Sequence, residues 1–203
     1  MITLIDYGAG NLHSLQGALK RLGFPSVRAV TPADAAESGT LILPGVGHFT
    51  AAREALLERG WWPVLPGLAA AGRPLVGICL GLQLLAEASE ESPGAPGLGL
   101  VPGTSRLLGP GVKVPNMGWA KVRARAPHPA LRSFQEDWLY FVHSYALDVD
   151  GETVLESTHG RPFAAMQARG RVLGFQGHPE KSGPFGESLL RNVLDWLGEA
   201  PCA

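Results

Sequence analysis

The sequence predicts an α/β protein: three layers, α/β/α, around a mainly parallel central sheet that antiparallel strands extend. Three observations point to it. Through the first half of the chain, short apolar runs with β character alternate with helix-spaced segments, the rhythm of a parallel sheet covered on both faces. The pentapeptide Gly77-Ile78-Cys79-Leu80-Gly81 joins one such run to a helical stretch, the pattern of a nucleophile elbow with cysteine as its central residue. In the second half, the texture changes to short strand-like runs separated by turn residues.

In order along the chain, Ile2–Asp6 is a strand. Leu12–Leu22 is helical, since Leu12, Leu15, Leu19 and Leu22 fall on one face. Ser26–Val30 and Thr40–Leu43 are further strands, and a helix runs from His48 to Glu58 after Pro44-Gly45-Val46-Gly47. The aliphatic stretch Val64–Ala71 reads as a helix over the core, and Pro74–Ile78 as the strand entering the elbow. Ser89–Gly99, rich in Glu, Ser, Pro and Gly, is a surface loop. Strands are then expected at Val112–Val114, Trp119–Arg123, Trp138–Val142, Tyr145–Val149, Thr153–Glu156, Phe163–Ala168 and Val172–Phe175. Ala168-Arg169-Gly170-Arg171 is a hairpin turn, and Phe185–Trp196 is the last helix. The whole chain, residues 1–203, is expected to form one domain.

The elbow carries the chemistry. Glycines flanking Cys79 gain nothing in a packed strand and cost backbone entropy, so they speak for a turn too tight for side chains. Such a turn lifts the sulfur above the sheet edge, at a helix N-terminus whose dipole favours thiolate. A cysteine nucleophile needs a base, and the base an orienting group. Val172-Leu173-Gly174-Phe175-Gln176-Gly177-His178-Pro179-Glu180 supplies both. In an extended segment His178 and Glu180 project to one side, about 6.6 Å apart along the strand, within reach of a glutamate. Proline also steers the preceding residue away from helix. Alone, His-Pro-Glu is equally a turn with a stray histidine. Paired with the elbow, it makes a Cys79-His178-Glu180 triad. The Gly45–Gly47 loop leaves a strand C-terminus with bare N–H groups. With the N–H of Leu80 it can hold a developing oxyanion, although by itself it reads as an ordinary βα turn.

Composition narrows the class. Seventeen Lys and Arg against 18 Asp and Glu leave a net charge of −1, without charged blocks, which argues against nucleic acid or an anionic membrane as partner. The two cysteines, Cys79 and Cys202, lie far apart in sequence, so a disulfide framework is not expected and a reducing cytoplasm is. No charged leader precedes the first strand, and no apolar run is long enough to span a bilayer. The six histidines show no metal-ligand spacing, so neither metal nor cofactor is expected. Gly8-Ala9-Gly10 follows a strand, but His13 stands where a dinucleotide fingerprint needs its third glycine.

Together these residues resemble a class I (triad-type) glutamine amidotransferase over nearly the whole chain. Finer motifs are similar to one branch of that family, the glutaminase subunits of imidazole glycerol phosphate synthases in histidine biosynthesis. They are Ile5-Asp6-Tyr7-Gly8-Ala9-Gly10-Asn11-Leu12, Pro44-Gly45-Val46-Gly47, Met117-Gly118-Trp119, His143-Ser144-Tyr145 and His178-Pro179-Glu180-Lys181-Ser182. The resemblance implies hydrolysis of L-glutamine to glutamate and ammonia through a γ-glutamyl thioester on Cys79. His178 shuttles the proton, Glu180 orients it, and Gly45, Val46 and Leu80 supply oxyanion donors. It implies that Gly47, Gln83, Ser144 and Tyr145 hold the α-amino and carboxylate ends of the substrate. It also implies a (β/α)8-barrel synthase partner in a heterodimer, with Asn11, Trp119, Tyr140 and Lys181 at the interface or gate. Three positions depart from the usual pattern: Gly177 stands for a bulky aromatic, Asn116 for His and Ala120 for Asn. Rival readings are a glutaminase subunit of another pathway, a cysteine peptidase or hydrolase on a similar sheet, and a non-catalytic scaffold subunit.

Overall fold

The computed structural model describes residues 1–37, 39–132, 134 and 136–201; Cys202 lies outside them. The strands are β1 (Ile2–Ile5), β2 (Ser26–Ala29), β3 (Leu41–Gly45), β4 (Leu75–Cys79), β5 (Ala88–Ser89), β6 (Thr104–Leu107), β7 (Asn116–Ala124), β8 (Glu136–His143), β9 (Tyr145–Leu147), β10 (Thr153–His159), β11 (Arg161–Arg169) and β12 (Val172–Phe175). The helices are α1 (Leu12–Arg21), α2 (Phe49–Glu58), α3 (Leu65–Ala70), α4 (Leu80–Leu85) and α5 (Gly183–Trp196). Nine strands form one sheet in the order β2-β1-β3-β4-β12-β11-β10-β7-β8, and β5-β6-β9 form a small second sheet. From β2 to β12 the neighbours are parallel; from β12 to β8 they are antiparallel.

Alternation along the parallel strands divides the core. Ile2, Leu4, Ile42, Val76 and Ile78 pack under α1 and α5, in a cluster with Leu15, Leu19, Leu190 and Leu194. Ile5, Leu41, Leu43 and Leu75 face the other way, toward Phe49 and Leu56 of α2, Leu65 of α3 and Leu82 and Leu85 of α4. Period-two strands between period-3.6 helices give the three layers. Among the described residues no helix is long and apolar enough to cross a membrane.

One strand expectation needs correction. Val112–Val114 is not a strand: it forms the bends leading to Pro115, while Thr104–Leu107, which the sequence does not single out, is one. Thr104-Ser105-Arg106-Leu107 carries only one aliphatic residue, so periodicity does not betray it. Its pairing with β9, from Ser105↔Leu147 to Leu107↔Tyr145, makes it a strand. Ser89–Gly99 is a loop after β5, as expected, and it is bound at several points, with Gly97 N–H donating to Glu87 O at 2.8 Å and Leu98 N–H to Leu84 O at 2.9 Å.

β3, β4 and β12 are neighbours and parallel, so the segments that leave their C-terminal ends emerge side by side. Those segments hold Gly45–Gly47, the elbow and His178. Ligands of open parallel sheets bind at such ends. The elbow requires its glycines sterically: a Cβ on Gly81 would collide with Leu43 O, and one on Gly77 would lie 2.7 Å from Leu82 N. Gly81→Ala should therefore cost about 3 kcal/mol or more of stability in urea unfolding. Gly67→Ala, at a helical site with open space, should gain about 0.5–1 kcal/mol.

Candidate active site

β4 ends at Cys79, which has φ 55 and ψ −112, one of two non-glycine residues with positive φ among those described. A β-carbon in this region is strained, at a cost of about 1–3 kcal/mol. The chain bears it because everything around it is fixed: Gly45 pairs with Cys79 across the β3–β4 ladder, and α4 starts at the next residue and is buried throughout. The helix has only six residues. Its dipole is accordingly a smaller aid to the thiolate than the sequence alone suggests.

His178 follows β12, and its ring is buried. Nδ1 lies 2.8 Å from Glu180 Oε1, and the ring shares the lining of one cleft with Cys79. Here the expectation of an extended His-Pro-Glu unit is corrected. Pro179–Lys181 is a turn of 3-10 helix, with His178 as its cap at φ −112 and ψ 87. Proline's fixed φ suits the first helical position. The tight turn folds the carboxylate back onto the imidazole more closely than a strand would. Burial opposes a charge on His178, but hydrogen bonds and charge from Cys79 and Glu180 outweigh it and raise its pKa to about 9. The imidazole is then protonated at neutral pH and sets a positive charge near the sulfur.

The turn is also clasped to β8. His178 N–H donates to Tyr140 O at 2.8 Å. Ser182 Oγ donates to His178 O at 2.6 Å and accepts from Tyr140 N–H at 2.9 Å. Tyr140 thus anchors the histidine by its backbone, and its ring meets Trp119 edge-on at 6.1 Å.

A cleft of about 220 Å³ opens at Cys79 and His178. Val46, Gly47, Leu80, Gln83, Ser144 and Tyr145 line it, together with Glu91, Pro115, Val142 and His143. The size suits an amino acid better than a larger ligand. Gly45 is behind the cleft wall, its neighbour Pro44 held by the Tyr7 hydroxyl, which donates to Pro44 O at 2.9 Å. Burial and the charge of Cys79 push the Tyr7 phenol above its ordinary pKa, so it stays a donor. Gln83 is buried, its Nε2 donating to Tyr145 O at 2.9 Å and Gln176 Oε1 at 3.1 Å. Its carbonyl is what remains for a ligand.

The remaining predicted residues lie outside the cleft. Asn11 caps α1, its Oδ1 accepting from Ser14 N–H at 3.1 Å. Lys181 is exposed and pairs with no acidic residue among those described. Trp119 is 54% exposed and, with Met117 and Trp138, gives the β7–β8 hairpin an apolar outer face at the sheet edge.

Glu91 and His143 line the cleft without having been expected there. Glu91 sits in the stretch read as solvent-facing, and its Oε2 accepts from Phe49 N–H at 2.8 Å. His143 stands out in the sequence only as part of a motif. Burial holds its pKa at about 4. Its Nδ1–H donates to Tyr145 O at 3.0 Å, which leaves Nε2 to accept from Asn116 Nδ2 at 3.1 Å. The unusual Asn116 is therefore matched to a neutral histidine. Gly177 is likewise accommodated: a Cβ there would already lie 3.1 Å from the Phe141 ring. No clustered His, Cys, Asp or Glu side chains suited to a metal occur among the described residues.

Comparison with known proteins places the chain in a family. The profile of the family described as Glutamine amidotransferase class-I matches residues 3–196. The chain belongs to the class I glutamine amidotransferase family. Within it, the chain is 43% identical over 202 residues to imidazole glycerol phosphate synthase subunit HisH of Desulfitobacterium hafniense (98% of this chain, 96% of the relative). It is 43% identical over 204 residues to the protein of that name from Deinococcus radiodurans (98% and 95%), and 44% over 196 residues to that of Methanopyrus kandleri (95% and 96%). The fold is shared with a crystal structure of glutamine amidotransferase at TM-score 0.78 and 20% identity (97% of this chain, 98% of the other). It is also shared with PurLQS from Thermotoga maritima at TM-score 0.73 and 21% identity (97% and 98%). The elbow and the 3-10 turn bring Cys79 and His178 into one cleft.

The charge on His178 has a measurable signature. Its folded-state pKa lies above the ordinary 6.5, so its interactions favour the fold below about pH 6.5, and that contribution is lost as pH rises through about 9. Glu180→Gln should lower the His178 midpoint in an NMR titration and narrow that window. Glutaminase turnover should fall roughly 10²-fold or more.

Proposed function

We propose that this chain is the glutaminase subunit of an imidazole glycerol phosphate synthase, and that Cys79, His178 and Glu180 are its catalytic triad. The observation that carries the reading is a strained cysteine at a strand end that shares a cleft with a buried histidine, itself held by a carboxylate.

The reaction follows from the geometry. The Cys79 thiolate attacks the side-chain amide carbon of L-glutamine. Negative charge gathers on the amide oxygen, where the N–H groups of Leu80 and of the Gly45–Val46 segment stabilise it. The imidazolium of His178 gives its proton to the departing nitrogen, and ammonia leaves as the γ-glutamyl thioester forms. Neutral His178 then takes a proton from water, whose oxygen attacks the thioester. The tetrahedral adduct expels the thiolate, and glutamate departs. Glu180 holds Nδ1 and stabilises the charged ring in both halves. Gly47, Gln83, Ser144 and Tyr145 hold the α-amino and carboxylate ends, with Gln83 turning its carbonyl to the ammonium group. Glu91 adds a carboxylate to the same end.

Ammonia is a nucleophile only while neutral, and bulk water at neutral pH protonates it, so it must pass directly to a second active site. The relatives are named as subunits of a synthase, and the second site is that of a (β/α)8-barrel subunit bound as a heterodimer. The exposed face of Met117, Trp119 and Trp138, beside Tyr140, is the docking surface, with Asn11 and Lys181 at its border. Apolar aromatics at an otherwise polar sheet edge are what such an interface needs. A reducing cytoplasm suits an enzyme that works through a free thiol.

Cys79→Ala should leave partner binding intact and abolish glutamine-dependent synthesis. Added ammonium salt should restore synthesis in that complex. Release of ammonia from glutamine by the Cys79→Ala protein would contradict the mechanism. Loss of the barrel-stimulated activity in Trp119→Ala, with the triad intact, would be the matching result for the interface.

A further inference from the structure

Gln176 has no part in the triad, the oxyanion donors or the glutamine-holding groups, yet it is wholly buried directly behind the reacting sulfur. Its Nε2 lies 3.9 Å from Cys79 Sγ. The orientation of the amide is set by a chain of one-way hydrogen bonds. Tyr145 O can only accept, so Gln83 must present its NH₂ there. The second hydrogen of the same NH₂ goes to Gln176, which must therefore offer its carbonyl, Oε1, at 3.1 Å. That leaves the NH₂ of Gln176 turned to the sulfur. Sγ also lies 3.7 Å from Val142 O, an acceptor that suits a thiol but repels a thiolate.

We propose that Gln176 is a further catalytic residue, whose amide N–H donates to the Cys79 sulfur and favours the thiolate over the thiol. The proposal rests on Cys79 being the nucleophile. The same donor serves the sulfur again when the thioester breaks and the thiolate is expelled. His178 charges one side of the sulfur, and Gln176 supplies a neutral donor on another that does not titrate. Gln83 thereby acts twice, facing the substrate and fixing which end of Gln176 meets the sulfur.

The test is the pH profile of Cys79 alkylation by iodoacetamide in a Cys202→Ala background, where Cys79 is the sole thiol. Gln176→Met removes the donor and should raise the midpoint by about one pH unit. Gln176→Glu keeps an acceptor for Gln83 but sets an anion beside the sulfur, and should raise it further. With the synthase subunit present, Gln176→Glu should lower kcat about tenfold or more while KM changes less than about twofold. A midpoint unmoved in both variants overturns the proposal, even if turnover falls. Should the variants fail to fold, side-chain amide NMR of the unsubstituted protein decides. The Gln176 NH₂ resonances should move as Cys79 titrates and lose that response after alkylation, and resonances that ignore the sulfur's charge overturn the proposal. Glutamine hydrolysis by Cys79→Ala would instead count against the nucleophile itself.

Discussion

Everything in the site depends on one backbone conformation, the left-handed turn at Cys79 that ends β4 and starts α4. A strained β-carbon persists only where the surroundings over-determine it. Here they do so through close approach: Gly45, Gly77 and Gly81 let β3, β4 and α4 touch at distances that no side chain survives. Leu82 fills the space over Gly174 on the next strand. The core beneath thereby sets the geometry of the site, because it holds the sulfur beyond the sheet end in the cleft that His178 also lines.

Two buried histidines close to that sulfur show how environment assigns roles. His178 faces a carboxylate and a thiol, and stays charged at neutral pH. His143 faces a carbonyl and an amide, packs against Phe141 and Phe163 at 5.5 and 4.9 Å, and stays neutral. Burial acts the same way on both; the partners decide. A second imidazolium beside His178 would repel its charge. Keeping His143 neutral preserves the contrast, and Asn116 is a suitable donor for doing so.

Much of this is legible in the sequence. Glycines on both sides of a cysteine, between a β run and a helix, announce an elbow because no other packing rewards them. Parallel strands are legible from alternation, and they alone bring residues 45, 79 and 178 to one edge. What stays hidden depends on tertiary contacts. Thr104–Leu107 is a strand only because β9 lies beside it. Pro179–Lys181 forms a 3-10 turn capped by His178 where spacing suggests an extended segment, since His178 and Glu180 reach one another in either geometry. Glu91 and Gln176 carry no motif of their own. Glu91 is concealed by a loop-like composition, and Gln176 becomes visible as a sulfur neighbour only through the direction of its hydrogen bonds. The clasp between Ser182, His178 and Tyr140 has the same character, and it ties the strand of the exposed aromatic face directly to the turn that follows His178.

The most direct measurement uses a glutamine analogue that carries an electrophilic diazoketone in place of the side-chain amide. Incubated with the synthase complex and followed by peptide mass spectrometry, it should form one covalent adduct, on Cys79. His178→Ala should slow the labelling strongly, and excess glutamine should prevent it. Labelling at another residue, or labelling of Cys79 at the same rate without His178, would contradict the account.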